Sequence, residues 1–287
     1  MIFNRQFIYA VVIAGLGLAC NAQKKKLRFG NSSMYDLQNP VIIKLPDGLA
    51  EISGIAYYPK DTSLFAIKDE AGIFYKIYLN KKDVIKKWRF EKNHDFEDVV
   101  LKDSLFYVLV SNGDIEELRF SGDSAHSDKF KFPVNGGKKQ NEFESLYYDD
   151  SLKQFILLCK DCDGDGKKTI TAWGYDDSTK QFTPMIYVID VKPIAEQLGM
   201  DGIKLRPSAA AINPVTNELY ILSSLNHLLV VTDRQGKFRE LYELDPTIYK
   251  QAEGIAFTPQ GDMIISNEAN EVGLADILIL KNKKKGL

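Results

Sequence analysis

The chain has few of the features that mark nucleophilic enzymes or nucleic-acid-binding proteins. Its 287 residues include three cysteines and three histidines, and the formal net charge is −2. Without an excess of positive charge, the sequence offers no field to hold nucleic acid. It has no G-x-S-x-G motif and no glycine-rich phosphate loop, so nucleophilic catalysis finds little support. These absences favour a protein that acts by binding.

The one long apolar run lies at the N-terminus. Phe7 to Ala19 is an uncharged stretch of 13 residues that follows Arg5. It is too short to span a bilayer and is typical of a signal peptide. The following Gly17-Leu18-Ala19-Cys20 resembles the bacterial lipoprotein signal. The alternative is ordinary cleavage after Ala22, which removes Cys20.

The lipoprotein interpretation divides the chain into three parts. Residues 1–19 are predicted to be the signal peptide, 20–35 a tether and 36–287 the folded domain. Cys20 is the predicted lipidation site, which anchors the protein to a membrane of the bacterial cell envelope, in the periplasm or on the surface. Both cleavage sites predict export.

Two further cysteines, Cys159 and Cys162, form a C-x-x-C motif. Export favours a short-loop disulfide. A zinc site needs two more nitrogen or sulfur ligands. A thioredoxin-like site needs a βαβ setting, which this stretch lacks. The only histidines available as zinc ligands are His94, His126 and His227.

A short apolar strand that opens with a small or acidic residue recurs five times. The openings lie 44, 47, 64 and 45 residues apart, at Ser53, Glu97, Glu144, Ser208 and Glu253. A period near 45 made of strands is typical of a β-propeller blade. Turn residues divide the repeats into short strands. An insertion with a short helix over residues 193–198 accounts for the longest spacing.

The sequence therefore predicts an all-β fold, a single β-propeller of five four-stranded blades. A sixth blade is possible if the long third repeat contains two. The last repeat has only three strands, and an orphan strand at Val41–Leu45 precedes the first repeat. Pairing of this N-terminal strand with the last blade would close the ring and remove exposed sheet edges. We expect a monomer.

Two tiers of side chains are expected to line the central channel, because alternate residues of a strand share a face. The first tier is the five openings. The second lies two residues earlier and comprises Glu51, Asp95, Glu142, Arg206 and Gln251.

Six carboxylates this close repel one another unless a counter-ion is present. Calcium binds six to eight oxygen atoms and is the predicted metal. Its predicted ligands are Glu97, Glu144, Glu253, Glu51, Asp95 and Glu142. The alternative is a water-filled channel in which the acids pair with lysines such as Lys68 and Lys160.

Loops that follow the second strands are expected to crowd one rim of the channel. The candidates for contact with a ligand are Ser53, Ser208, Arg206, Asp69, Glu70 and Glu268. One of these loops, residues 161–166, looks like the start of an EF-hand, but its twelfth position is Ala172 rather than glutamate. It is either a looser calcium site or a polar turn.

The ordered openings resemble those of the SdiA-regulated family of bacterial β-propellers (the YjiK/CarP group). They read EISGI at 51–55, DFEDV at 95–99, EFESL at 142–146, RPSAA at 206–210 and QAEGI at 251–255. The resemblance covers residues 36–281. The chain departs from the family pattern at Asp98, Ser145 and Ala209, where glycine is usual. The resemblance implies a propeller fold, an envelope location and calcium, with a distant similarity to thermostable phytase propellers.

The function expected from these features is an exported, lipid-anchored, calcium-binding propeller that binds an unknown small molecule or an envelope protein. The alternative, implied by the similarity to phytase propellers, is a metal-dependent phosphatase or esterase. In that case Arg206, Lys68 or Lys160 holds the anion. A purely structural scaffold is the third interpretation.

Overall fold

The computed structural model describes residue 29 and residues 32–80, 85–122, 124–133, 141–269 and 273–284. The predicted signal peptide, the lipidation site Cys20 and most of the predicted tether lie outside the described residues, so they stay predictions. Within the described part of the chain, no helix is long and apolar enough to cross a membrane.

Five four-stranded antiparallel sheets form the molecule, which confirms the predicted five-bladed propeller. Blade 1 consists of β2 (Ile52–Tyr58), β3 (Ser63–Lys68), β4 (Ile73–Tyr78) and β5 (Ile85–Arg89). Blade 2 consists of β6 (Phe96–Lys102), β7 (Leu105–Val110), β8 (Ile115–Ser121) and β9 (Ser124–Phe130). Blade 3 consists of β10 (Glu142–Asp149), β11 (Gln154–Asp161), β12 (Thr169–Asp176) and β13 (Gln181–Asp190). Blade 4 consists of β14 (Ala209–Ile212), β15 (Leu219–Ser223), β16 (Leu228–Thr232) and β17 (Phe238–Glu243).

Blade 5 joins the two ends of the chain. It consists of β18 (Ala252–Phe257), β19 (Met263–Asn267), β20 (Asp276–Leu280) and the N-terminal strand β1 (Val41–Lys44). Strand β1 pairs with β20 from Val41 opposite Ile279 to Lys44 opposite Asp276, as predicted. The first strands of successive blades touch in order, and β18 touches β2, so the ring is closed.

The long third repeat is one blade with a helical insertion, which excludes a sixth blade. The insertion contains α1 (Lys192–Gln197), with a proline in its first turn. Gly199 then adopts a φ of 68°, and its amide donates to the carbonyl of Glu196. This left-handed conformation is easiest for glycine and ends the helix.

Apolar side chains pack between neighbouring blades. Between blades 1 and 2 the packing is aromatic, with the Phe65 ring 5.2 Å from Phe74 and 4.4 Å from Phe106. Between blades 4 and 5 it is mostly aliphatic, with buried Leu222, Leu229 and Ile265. These contacts fix the blades around the axis. We call the end of the ring where the first strands begin the upper face, and the end where they finish the lower face.

The folded domain begins earlier than the predicted boundary at residue 36. Met34 and Tyr35 are 4% and 0% exposed. The Tyr35 hydroxyl donates to the carbonyl of Gly261 (2.7 Å) and accepts from the amide of Asn213 (2.7 Å). Gly261 and Asn213 lie in the turns that follow β18 and β14. The segment from Ser32 to Tyr35 therefore belongs to the folded domain and is fixed on the lower face.

Cys159 and Cys162 form a disulfide, as export favours. Both cysteines are buried, and the bond consumes the thiols that a zinc site would need. The adjoining loop is a polar turn. The Asp165 carboxylate accepts from the hydroxyl of Thr171 (2.6 Å), from its amide (3.0 Å) and from the hydroxyl of Thr169 (3.0 Å). These bonds occupy the carboxylate and leave the looser calcium site without support.

Candidate metal and ligand site in the axial channel

Three predicted glutamates lie at β-bulges inside the first strands, not ahead of them. In β6, Phe96 pairs with Val110 and Asp98 with Leu109, so Glu97 is the extra residue. The same register shift occurs at Glu144 in β10 and at Glu253 in β18. A bulge leaves one residue outside the ladder and changes the direction of its side chain. In all three blades this side chain points into the channel.

The channel contains a cavity of about 290 Å³ at the upper face. All ten residues of the two predicted tiers line it, together with Asp69 and Glu268. Glu70 does not line the cavity and is exposed. Its neighbour Asp69 takes the inward position. The role of these residues as metal or ligand contacts stays a prediction.

A third tier comes from the ends of the second strands. Phe96 pairs with Val110, and the next residue, Ser111, lines the cavity. The equivalent residues in the other blades also line it, and the complete tier is Asp69, Ser111, Lys160, Ser224 and Glu268. Ser111, Ser224 and the rim residue Leu225 were missed. The position at the end of each second strand was the available signal.

The two serines of the first tier connect neighbouring blades. Ser53 Oγ donates to the carbonyl of Glu97 (2.6 Å), and Ser208 Oγ donates to the carbonyl of Ala252 (2.7 Å). Both serines are buried. Their hydroxyl protons are thus committed to the ring itself, and the serines contribute mainly to the shape of the channel.

Asp98, one of the departures from the family pattern, also has a structural role. Its buried carboxylate accepts from the amides of Val99 and Leu146 (both 2.8 Å), which joins blade 2 to blade 3. Gly54 lies against it, since a Cβ at Gly54 would come within 2.4 Å of the Asp98 Cα. The substitution is accommodated behind the channel wall, and the tier residues keep their inward direction.

Some channel acids have cationic partners. Glu51 pairs with Lys68 (3.1 Å), and Glu144 pairs with Lys160. The alternative in which lysines pair with the acids is therefore correct for these two. Arg206 lies 3.7 Å from Asp161, whose nearer partner is Lys204 (2.9 Å).

Three other acids stand together and form no ion pair among the described residues. Asp69, Asp95 and Glu97 each offer one carboxylate oxygen, and the three oxygens lie within 4.8 Å of one another. We call this group the acidic trio. The Oδ1 atom of Asp69 is buried and has no hydrogen-bond partner among the described residues. Carboxylates arranged in this way repel one another unless they are protonated or share a cation.

The electrostatics of the acidic trio reflect this crowding. Burial, followed by the hydrogen bond and charge of Asp95, raises the pKa of Asp69 to about 7. Burial and the charges of Asp95 and Asp69 raise the pKa of Glu97 to about 9. On the neighbouring blade, burial and the charge of Glu268 raise the pKa of Glu253 to about 7. Lys160 opposes the rise in the pKa of both glutamates.

The channel wall thus has two sides. The acidic side, formed by blades 5, 1 and 2, carries Glu253, Glu268, Glu51 and the acidic trio. The mixed side, formed by blades 3 and 4, carries Glu142, Glu144, Lys160 and Arg206. The acidic trio has the donor chemistry of a hard cation site, because its ligand atoms are carboxylate oxygens only. The absence of nitrogen and sulfur donors from these three residues disfavours zinc or copper.

Comparison with known proteins agrees with the fold. The family model described as SdiA-regulated matches residues 37–272. No curated protein matches the chain. Among solved structures, glutaminyl cyclase from Myxococcus xanthus has a TM-score of 0.54 at 10% identity, over 85% of this chain and 97% of that one. The calcium-binding protein regucalcin from Agrobacterium tumefaciens has a TM-score of 0.50 at 11% identity, over 87% and 95%. At these identities the similarity concerns the fold alone. The match over most of the chain shows that this protein belongs to the SdiA-regulated family.

Proposed function

We propose that this protein is an exported, lipid-anchored β-propeller that binds calcium in its channel and presents the upper face to a ligand or partner in the cell envelope. The observation that carries the proposal is the acidic trio. Three carboxylates meet on the acidic side, and one buried oxygen has no hydrogen-bond partner in the part of the chain that the structure describes. A divalent cation satisfies that oxygen and removes the mutual repulsion.

We assign the cation to the acidic trio. This proposal keeps Asp95 and Glu97 from the first set of predicted ligands and adds Asp69, first predicted as a rim residue. Glu51 and Glu144 already have cationic partners in Lys68 and Lys160, so they depend less on a bound cation than the acidic trio does. Glu253 adds negative charge to the same side.

Regucalcin contributes only its fold to this proposal, because 11% identity carries no ligand over to this chain. Export is supported by the disulfide between Cys159 and Cys162, since such bonds persist in oxidising compartments. The anchor rests on the apolar N-terminal run and Cys20. Its test is a membrane-fraction assay, in which Cys20→Ala releases the protein from the membrane fraction if the anchor is correct.

Calcium binding is tested by thermal unfolding and calorimetric titration of the metal-free folded domain. Calcium at 100 times its dissociation constant stabilises the protein by about 2.7 kcal/mol. Glu97→Gln removes one carboxylate from the acidic trio and should weaken calcium binding at least tenfold. The matched control is Glu70→Gln on the exposed neighbour of Asp69. If millimolar calcium leaves the unfolding temperature of the wild type unchanged, the proposal is wrong.

The alternative, a metal-dependent phosphatase, would use the same channel. Its specific support is that Lys160 and Arg206 share one cavity with the acidic trio. The assay measures phosphate release from phytate and aryl phosphates in calcium. Turnover that Glu97→Gln abolishes would establish the enzyme, and absence of turnover in a protein that binds calcium would leave the binding function.

A further inference from the structure

The two sides of one small cavity, of about 290 Å³, differ in charge. The acidic side carries the acidic trio, whereas Lys160 and Arg206 line the same cavity from blades 3 and 4. A cation bound by the acidic trio makes no use of Lys160 and Arg206 on the mixed side. We propose that the mixed side is an oxyanion subsite, in which Arg206 and Lys160 bind a carboxylate or phosphate group of the ligand opposite the cation. This deepens the proposed calcium-binding function and rests on it.

The backbone of Arg206 is fixed, but most of the hydrogen-bond donors of its guanidinium are not used by the described residues. Its amide donates to Asn226 Oδ1 (3.2 Å), and its carbonyl accepts from Ser223 Oγ (2.6 Å), so its backbone is fixed. Among the described residues, the guanidinium makes one ion pair, at 3.7 Å to Asp161, and its side chain is 36% exposed. A distance of 3.7 Å is too long for a hydrogen bond. Five N–H donors in a planar fork therefore remain to bind a ligand, and this fork matches carboxylate and phosphate oxygens.

Lys160 lies at the boundary between the two sides. It pairs with Glu144, and its positive charge also lowers the pKa of Glu97 and of Glu253. Its ammonium group has three donors, of which Glu144 takes one. The disulfide between Cys159 and Cys162 brackets Lys160 and so restrains its backbone. Lys160 can thus contact an oxyanion while it remains part of the channel wall.

The rim suggests the rest of the ligand. Leu225 lines the cavity and is 64% exposed. It follows Ser224 in the turn after β15, on the blade that carries Arg206. An exposed leucine next to a cationic group suits the carbon skeleton of a small organic anion. The ligand class is therefore a small carboxylate or phosphate whose oxygens reach both the cation and Arg206.

The test is calorimetric titration of acetate and, separately, methyl phosphate into the folded domain, with and without saturating calcium. We expect one probe to bind to the calcium-loaded protein and to bind at least tenfold more weakly without calcium. Arg206→Gln should weaken that binding 10- to 100-fold and change calcium affinity less than threefold. The matched control is Arg239→Gln, an exposed arginine on β17 of the same blade. Arg206→Lys keeps the charge without the fork and should fall between wild type and Arg206→Gln.

The outcomes separate the two proposals. If calcium binds but neither probe does, or if Arg206→Gln binds the probe like the wild type, the oxyanion subsite is wrong and the calcium site stands. If calcium does not bind, but a probe binds and Arg206→Gln weakens its binding, the calcium proposal is wrong. The oxyanion subsite then stands in a form that needs no metal. Circular dichroism of each variant shows whether a loss of binding is a loss of fold, in which case Arg206→Lys decides.

Discussion

Blades 2 and 3 each place a glutamate at the equivalent β-bulge, but the two glutamates have different surroundings. Glu97 and Glu144 both bulge from a first strand into the channel. The third-tier residue of the same blade is Ser111 in blade 2 and Lys160 in blade 3. Glu144 consequently has a cationic partner, whereas burial and the charges of Asp95 and Asp69 raise the pKa of Glu97. One residue of the third tier therefore decides whether a bulge glutamate is neutralised within the wall or needs a cation.

The largest effect is expected from giving blade 2 the lysine of blade 3. Ser111→Lys should provide Glu97 with its own counter-ion and place a positive charge beside the acidic trio. Because two charges at about 4 Å interact by about 4 kcal/mol at an effective dielectric of 20, calcium affinity should fall at least 100-fold. Calorimetric titration measures this. Ser124→Lys adds the same charge to the outer strand of blade 2 and should leave affinity unchanged. Equal affinities in wild type and Ser111→Lys would contradict the comparison.

The buried acids of the channel also predict how metal-free stability depends on pH. The folded-state pKa values of Asp69, Glu97 and Glu253 are raised, to about 7, 9 and 7. The folded protein therefore keeps protons that the unfolded chain releases above pH of about 4. The contribution of these three groups to the free energy of unfolding is therefore fully present below that pH. It is lost as the pH rises towards 7 to 9.

The measurement is the unfolding temperature of metal-free wild type and of Glu97→Gln between pH 5 and 9. The wild type should lose several degrees over this range, and the glutamine variant should lose less, since it has one group fewer to ionise. Calcium should reduce the loss, because it replaces the protons. Parallel curves for the two metal-free proteins would show that Glu97 does not titrate as proposed.

Removing the cation of blade 3 tests the comparison from the other direction. Lys160→Gln leaves Glu144 without its partner and lowers the positive potential at Glu97 and Glu253. We expect a several-fold gain in calcium affinity and a metal-free protein that is less stable by about 1 kcal/mol. Titration and urea unfolding measure the two changes. Lys68→Gln, which frees only Glu51, is the matched control and should gain less affinity.

The smallest effect on the metal is expected from the disulfide. Replacing Cys159 and Cys162 together by serine removes a constraint on a very short loop, which costs up to about 2 kcal/mol of stability. The disulfide belongs to the mixed side, so calcium affinity should stay within about twofold. Oxyanion binding should weaken more than calcium binding, because Lys160 lies between the two cysteines. A larger loss of calcium than of oxyanion affinity would contradict the separation of the two sides.

Much of the fold was predictable from local patterns. The repeat of strand openings, the orphan strand at Val41 and the glycine that ends α1 are each visible without knowledge of the partners they meet. The site was only partly predictable. That ten residues share one channel follows from the repeat, but that Lys160 faces Glu144 depends on the register at a bulge. The inward direction of Asp69 rather than Glu70 depends on the same register.

The packing of the residues just before the predicted boundary at residue 36 was not predictable for a different reason. Met34 and Tyr35 follow a polar, basic segment, and no period relates them to the blades. Their burial depends on an interblade space near Asn213 and Gly261, which only the assembled ring creates. An isolated aromatic residue in a predicted tether is thus a weak signal, because the surface that buries it is distant in sequence.

The docking of Tyr35 on the lower face has a consequence for the channel. Ser32 to Tyr35 lie on the side of the ring opposite the acidic entrance. An anchor attached ahead of Ser32 would therefore join the propeller on the face away from its charged opening, so the point of attachment would leave that opening clear for solutes and other proteins.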